Sequence, residues 1–250
     1  MIKTNIDSGY YFGLGVFETI AVEQHTPLFL CEHLRRLKTG LQNLHINNPD
    51  AEKSLTEAYI TQKCRELPPG RQVLKICVSE QNLIITSREN SYCRDQYLQG
   101  FTTALTDIRR NETSPLTYIK SLSCADNILA KRAAARAGIS EPLFLNTCGE
   151  LTEGAVSNIF LIKDGKLITP PLSCGLLPGV LRKHIMEIHP VTEQTIRPRD
   201  IRSCDEMFLT NSLMGIMPVK SFGQTQFSSI EQTLTLSREY FARHQINVNI

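Results

Sequence analysis

The chain has 250 residues, 41% hydrophobic and 21% charged, with 27 basic against 25 acidic side chains and a net charge of +2. That length allows one large domain or two smaller ones, and the composition belongs to a folded globular protein rather than a fibrous or disordered one. The near-balanced charge gives no broad basic footprint for nucleic acid, and no apolar run approaches the roughly 20 residues that cross a bilayer.

Taken in chain order, the first half reads as mixed α/β. Residues 16–22 and 28–30 have strand character on either side of a turn at Gln24-His25-Thr26-Pro27. Leu34, Leu37, Leu41 and Leu44 then recur at helical spacing and predict an amphipathic helix over 32–45. Asp50 is expected to cap a second helix, ended by Pro68-Pro69-Gly70. Strands are predicted at 73–78, 83–87 and 101–106.

The polar run Arg109-Arg110-Asn111-Glu112-Thr113-Ser114-Pro115 is the expected domain boundary, giving a smaller α/β domain at 1–113 and a larger one at 114–250. Beyond it come an alanine-rich helix at 126–137 stopped by Gly138, and strands at 142–145 and 158–162. Asp164-Gly165 signals a hairpin. A helix opened by Gly179 follows, then a strand at 207–210 and a final helix. Two α/β lobes with a small-molecule cleft are expected.

The eight cysteines include no Cys-x-x-Cys pair, and most lie in apolar stretches such as Ile76-Cys77-Val78. A thiol there behaves as a small hydrophobe, so neither a zinc site nor a disulfide framework is expected. A reducing cytosol is the plain setting for such a chain. The segment from Met1 to Asn5 lacks the apolar core of a secretory signal. The six histidines show no metal-ligand spacing and read as structural.

Four features could carry chemistry. Lys120 follows the polar run and precedes a helix; desolvated, it could lose a proton and attack a carbonyl, and alone it could equally be a solvated lysine. Glu153 follows Gly149-Glu150-Leu151-Thr152 and precedes an apolar strand. A carboxylate there could keep a pyridine nitrogen protonated, or could be a surface turn residue. Pro178-Gly179-Val180 opens a helix whose leading N–H groups suit a phosphate. Arg36 could add a cation to that phosphate, or simply face solvent from its helix.

The order of the blocks carries a resemblance. They run Gly13-Leu14-Gly15-Val16-Phe17-Glu18-Thr19, His33-Leu34-Arg35-Arg36-Leu37, Lys120-Ser121-Leu122, Glu153-Gly154-Ala155-Val156-Ser157-Asn158-Ile159-Phe160, Thr169-Pro170-Pro171 and Leu177-Pro178-Gly179-Val180-Leu181-Arg182. In this order they resemble the fold-type IV pyridoxal-phosphate enzymes, the class IV aminotransferase family. That family holds branched-chain and D-amino-acid aminotransferases and 4-amino-4-deoxychorismate lyase. The resemblance implies the two-lobed D-amino-acid aminotransferase-like α/β fold, pyridoxal 5'-phosphate as cofactor, a small-molecule substrate and a homodimer.

It also implies that Lys120 carries the cofactor as a Schiff base and shuttles a proton, while Glu153 pairs with the pyridine nitrogen. Arg36, the backbone amides of Val180 and Leu181, and Ser212 would take the phosphate. Leu177 would lie against the ring, and Asn127 occupies a recurrent position in the helix after Lys120.

Within the family, Phe17-Glu18-Thr19 is similar to the lyases, which place threonine where branched-chain transaminases place glycine and D-amino-acid transaminases valine. A hydroxyl there could assist proton transfer as a ring substituent leaves. Asn211-Ser212-Leu213-Met214-Gly215-Ile216-Met217-Pro218-Val219 and Leu181 also read as lyase versions of their blocks. The expectation is a lyase with Lys120 and Thr19 as catalytic residues. An aminotransferase is the alternative, and a non-catalytic cofactor-binding protein the second.

Three departures stand out. Leu14 replaces the usual aspartate, Ser8 the usual arginine, and Glu80-Gln81-Asn82 is a short turn where relatives place an arginine-glycine-rich loop. Since that loop helps recognise carboxylates, Arg88, Arg94 and Arg109 are candidates to replace it.

Overall fold

Alternating side chains in the first half build a four-stranded antiparallel sheet in the computed structural model, which describes residues 4–248 and 250. Its order is β2 (Thr26–Pro27), β1 (Val16–Glu23), β3 (Arg71–Val78) and β4 (Leu83–Glu89). One face is apolar: Val16, Ile20, Val22, Leu74, Ile76 and Val78 bury against Leu34 and Leu37 of helix α2 (Leu30–Asn43). Short α1 (Ser8–Phe12) precedes the sheet, and α3 (Pro49–Ser54) and α4 (Glu57–Arg65) lie between β2 and β3 in sequence.

Two expectations in this half are corrected. Residues 28–30 are not a strand, because Phe29 turns the chain at φ 53° and α2 starts at Leu30. The second helix is capped by Asn48 rather than Asp50. The Asn48 side-chain oxygen accepts the Ala51 N–H at 2.9 Å, and Pro49 occupies the first position, where a missing N–H is harmless. That helix also breaks at Leu55, and Thr56 caps α4 separately.

Asp7 anchors the start of the chain. Its buried carboxylate accepts from Ser79 Oγ, the Gln81 N–H and Asn82 Nδ2, and these bonds hold its pKa below the usual carboxylate range against the opposing effect of burial.

The second sheet uses α5 (Arg94–Gln99) and β5 (Phe101–Arg110), then α6 (Ala125–Arg136), β6 (Glu141–Asn146), β7 (Leu151–Gly154), β8 (Asn158–Lys163) and β9 (Lys166–Thr169). After α7 (Val180–Ile188) come β10 (Val191–Glu193), β11 (Glu206–Asn211), β12 (Gly215–Phe222), β13 (Thr225–Gln226) and α8 (Glu231–Arg243). Its order is β10-β9-β8-β11-β12-β5-β6-β7, with β13 on β12. Because β7 pairs back to β8 at Glu153↔Asn158, the path from β8 to β7 closes into a β barrel. Asp164 and Gly165 make the β8–β9 hairpin, both at positive φ. The buried Glu206 carboxylate caps α8, accepting the Gln232 and Thr233 N–H groups.

The chain divides into two units. The first runs to Ser91 and regains Ile119–Cys124; the second is Tyr92–Tyr118 with Ala125–Ile250. The division thus falls at Tyr92, not at 113/114, because β5 belongs to the barrel through its pairing with β12 and β6. Arg109 and Arg110 are strand residues rather than linker, and Lys120 lies in the first unit. No helix among the described residues is long and apolar enough to cross a membrane.

Candidate active site

In the first unit, the Lys120 segment is held by β1. The Phe17 N–H donates to Lys120 O at 2.9 Å, the Leu122 N–H to Gly15 O at 2.9 Å, and Ser121 bridges Val16. Gly15 is needed there: a Cβ would come within 2.7 Å of Val78 O and 2.6 Å of Leu122 Cδ1. Half-buried Lys120 then carries its Nζ over the Phe17 ring, 4.4 Å from the centroid. Thr19 is two residues along β1 from Phe17 and so shares its face, opposite the one that packs on α2.

Glu18 points the other way and is fully buried. Its Oε1 accepts from Arg36 Nε at 2.7 Å and its Oε2 from Arg36 Nη2 at 2.8 Å, with His33 Nδ1 2.6 Å from Oε2. Burial raises a carboxyl's pKa, but the Arg36 guanidinium and His33 outweigh it and hold Glu18 well below the usual range. His33 and Arg36 stand three apart on α2, so both reach one carboxylate. Arg36 therefore sits in a rigid bidentate pair rather than on a solvated face.

In the second unit, Glu153 is 6% exposed on β7. Its Oε1 lies 3.0 Å from Arg110 Nη2, and its Oε2 accepts the Leu177 N–H at 3.0 Å. Arg110 ends β5, lies over the Phe144 ring at 4.1 Å, and donates through Nη1 to Asn127 Oδ1 at 3.1 Å. Asn127 in turn donates to Ala155 O at 2.6 Å. Glu141 braces the same turn, accepting the Val156 N–H and Ser157 Oγ at 2.8 and 2.9 Å, with Lys131 as its ion-pair partner.

Leu177 leads into α7. Its carbonyl accepts from Asn158 Nδ2 at 3.0 Å, and a Cβ on Gly179 would overlap Asn158 Oδ1. Gly179 is the N-cap and no side chain caps the helix, so the N–H groups of Val180 and Leu181 have no intrahelical acceptor. Thr210, in register with Asn158, has a buried Oγ1 with no hydrogen-bond partner among the described residues. Ser212 is half-buried in the turn after β11.

Geometry therefore joins Glu153 directly to Leu177, with Val180 and Leu181 next in chain, and joins Lys120 to Phe17 on the face of Thr19. Arg110 escaped sequence reading, because its polar neighbours suggested a linker. The available signal was the alternation through Ile108, which packs beside Phe144 and Ala155 and carries the strand on to Arg110. Glu18, Glu141 and Thr210 were also missed. A buried polar group is recognisable only from what surrounds it.

The profile of the amino-transferase class IV family matches residues 15–222. The chain belongs to that family. Pyridoxal 5'-phosphate is the cofactor, and this class IV enzyme offers groups that fit it. They are a buried carboxylate, an uncapped helix N-terminus approached over a glycine, and an unpartnered buried hydroxyl.

Relatives of both chemistries stand at similar distance. The aminodeoxychorismate lyase of Bacillus subtilis is 24% identical, covering 98% of this chain and 90% of the lyase. The D-alanine aminotransferase of Bacillus licheniformis is 26% identical, covering 92% and 86%. The crystal structure of 4-amino-4-deoxychorismate lyase from Pseudomonas aeruginosa has a TM-score of 0.85 at 26% identity, covering 97% of this chain and 96% of that one.

Proposed function

We propose that this enzyme is a 4-amino-4-deoxychorismate lyase, converting amino-deoxychorismate to 4-aminobenzoate and pyruvate. The observation that carries the reading is the open face of β1, which Thr19 shares with Phe17 and where Lys120 Nζ lies 4.4 Å from the centroid of the Phe17 ring. A hydroxyl next to the lysine suits a reaction in which one bond loses a proton while a neighbouring bond releases an oxygen leaving group. The lyase relatives, matched over nearly the whole chain, add support.

Bound pyridoxal phosphate supplies an electron sink for negative charge developing on the substrate. Lys120 both holds the cofactor and accepts the ring C4 proton. As the ring aromatises, the C3–O bond breaks, and Thr19 assists proton delivery to the departing enolpyruvate. Glu153 would pair with the pyridine nitrogen, and Arg110 is its ion-pair partner at 3.0 Å. Arg36, Ser212 and the Val180 and Leu181 amides would take the phosphate, and Leu177 would lie against the ring. The same reading makes the enzyme a cytosolic homodimer; its eight free cysteines suit a reducing compartment.

Incubation with chorismate, glutamine and an aminodeoxychorismate synthase tests the proposal by the appearance of 4-aminobenzoate. Transamination of D- or branched-chain amino acids with 2-oxoglutarate, and no 4-aminobenzoate, would favour the aminotransferase reading, which the D-alanine aminotransferase relative keeps in view. A protein that holds the cofactor and turns over neither substrate class would be the non-catalytic alternative.

A further inference from the structure

Two histidines that take no part in the reaction above meet in the second unit. His184 lies in α7, and His244 ends α8 as its C-cap, 60 residues further along the chain. Both helices pack on β11. The two Nε2 atoms stand 3.3 Å apart, with the ring centroids 5.2 Å apart and the ring planes at 67°. Both side chains are half-buried. The His244 ring also packs on Tyr240, 4.8 Å between centroids. Tyr240 is itself buried, and Gly215 leaves room for it, since a Cβ there would come within 2.7 Å of the ring.

The separation of the two nitrogens decides what the pair suits. N–H donors commonly reach their acceptors at about 2.7–3.2 Å, so 3.3 Å is a loose hydrogen bond. Zinc–imidazole bonds are about 2.0–2.1 Å long, and two of them at the tetrahedral angle set their nitrogens roughly 3.3–3.4 Å apart. The spacing is that of two neighbouring ligands on one ion. Burial, with the nearby His184 and Arg243, holds the His244 pKa below the ordinary 6.5, which favours the neutral ring that a metal takes. Arg243 is exposed, so water screens its charge.

We infer that His184 and His244 bind a zinc ion through their two Nε2 atoms, with water completing the tetrahedron. Among the described residues no group of three or more His, Cys, Asp and Glu is placed to hold a metal. The ion therefore keeps open positions and exchanges, unlike one in a closed structural site. Binding releases no proton: the ring that donates through Nε2 shifts that proton to its own Nδ1, and both rings stay neutral. The ion ties the end of α8 to the helix whose first amides would hold the phosphate in the reading above. Zinc binding itself does not depend on which reaction the enzyme runs.

The test titrates wild-type, His184→Gln, His244→Gln and His189→Gln holoenzymes, freed of excess cofactor, with zinc chloride by equilibrium dialysis. Exposed Cys31, Cys93 and Cys148 offer competing thiols, so the site is read as the difference between wild type and variants. The wild type should bind one zinc ion more than His184→Gln or His244→Gln, or bind it at least about tenfold more tightly, since loss of a ligand's supporting partner alone costs that much. Zinc at ten times the dissociation constant should raise the wild-type Tm by about 3–6 °C, and the rise should shrink in both variants. His189→Gln, at the C-cap of α7, should behave as wild type. Should one variant fail to fold, the other carries the comparison. Equal zinc binding and equal Tm shifts in wild type and variants overturn the site and leave an imidazole hydrogen bond only. A wild type with no saturable zinc binding overturns it too, as does loss of the extra ion in His189→Gln.

Discussion

Arg110 and Glu153 form a buried ion pair at 3.0 Å, between the end of one barrel strand and another strand two places along the sheet. Neither side chain is more than 12% exposed, so each buried charge has the other as its counter-charge.

Replacing Arg110 by Met strands the Glu153 carboxylate. Breaking a buried pair from one side costs about 3–5 kcal/mol, and a loss of that order is expected in urea unfolding of the apoenzyme at neutral pH. Removing both charges, in Arg110→Met with Glu153→Gln, should cost clearly less than the sum of the single changes. Strict additivity in this double-mutant cycle would mean that the two groups are not coupled.

Lys120→Ala should abolish turnover and the visible absorbance of the lysine-bound cofactor. Lys75 is the natural rival, since both amines lie over Phe17. Borohydride reduction followed by peptide mapping decides between them: the label is expected on Lys120, and a label on any other lysine removes it from the catalytic role.

Thr19→Val deletes the hydroxyl at nearly constant shape on a β-strand that favours branched residues. General acid–base assistance is worth about 10²–10⁴-fold, so 4-aminobenzoate formation should drop by an amount in that range while the cofactor spectrum holds. Full 4-aminobenzoate formation by this variant would show that the hydroxyl is not used.

Acid should expose the Glu18 cluster. Because pairing with Arg36 and His33 depresses the Glu18 pKa below its ordinary 4.5, the folded state binds fewer protons than the unfolded one across that window. The resulting stability is fully present above about pH 4.5 and is lost as pH falls further towards the folded-state value. Glu18→Gln should be less stable at pH 7, since it leaves Arg36 uncompensated, and should lose less of its stability on acidification. Parallel acid limbs for the two proteins, measured by unfolding between pH 3 and 7, would contradict this account.

Much of the fold could be read locally. The leucines of α2, the alternation in β1 and β3, the Asp164-Gly165 hairpin and the Gly179 helix start each depend on a few neighbouring residues, and the structure has each of them. Capping was harder. Asn48 and Asp50 are both good cap residues, and the choice followed from Asn48 also donating to Ser79 O across the first unit.

The order of the family blocks was also a property of the sequence by itself, and it determined the family and its cofactor, because those blocks are contiguous stretches whose residue types survive in any conformation. Which side chains face each other is not such a property. Arg110 meets Glu153 only because β5 and β7 flank β6 in the barrel, and Lys75 stands between Thr19 and Thr86 only because β3 is paired on both sides in one register. A one-residue slip in that register would send Lys75 to the buried face and leave its sequence unchanged. Strand pairing is long-range and cooperative, so the partners of a buried charge and the groups beside a reactive lysine were decided by the tertiary structure.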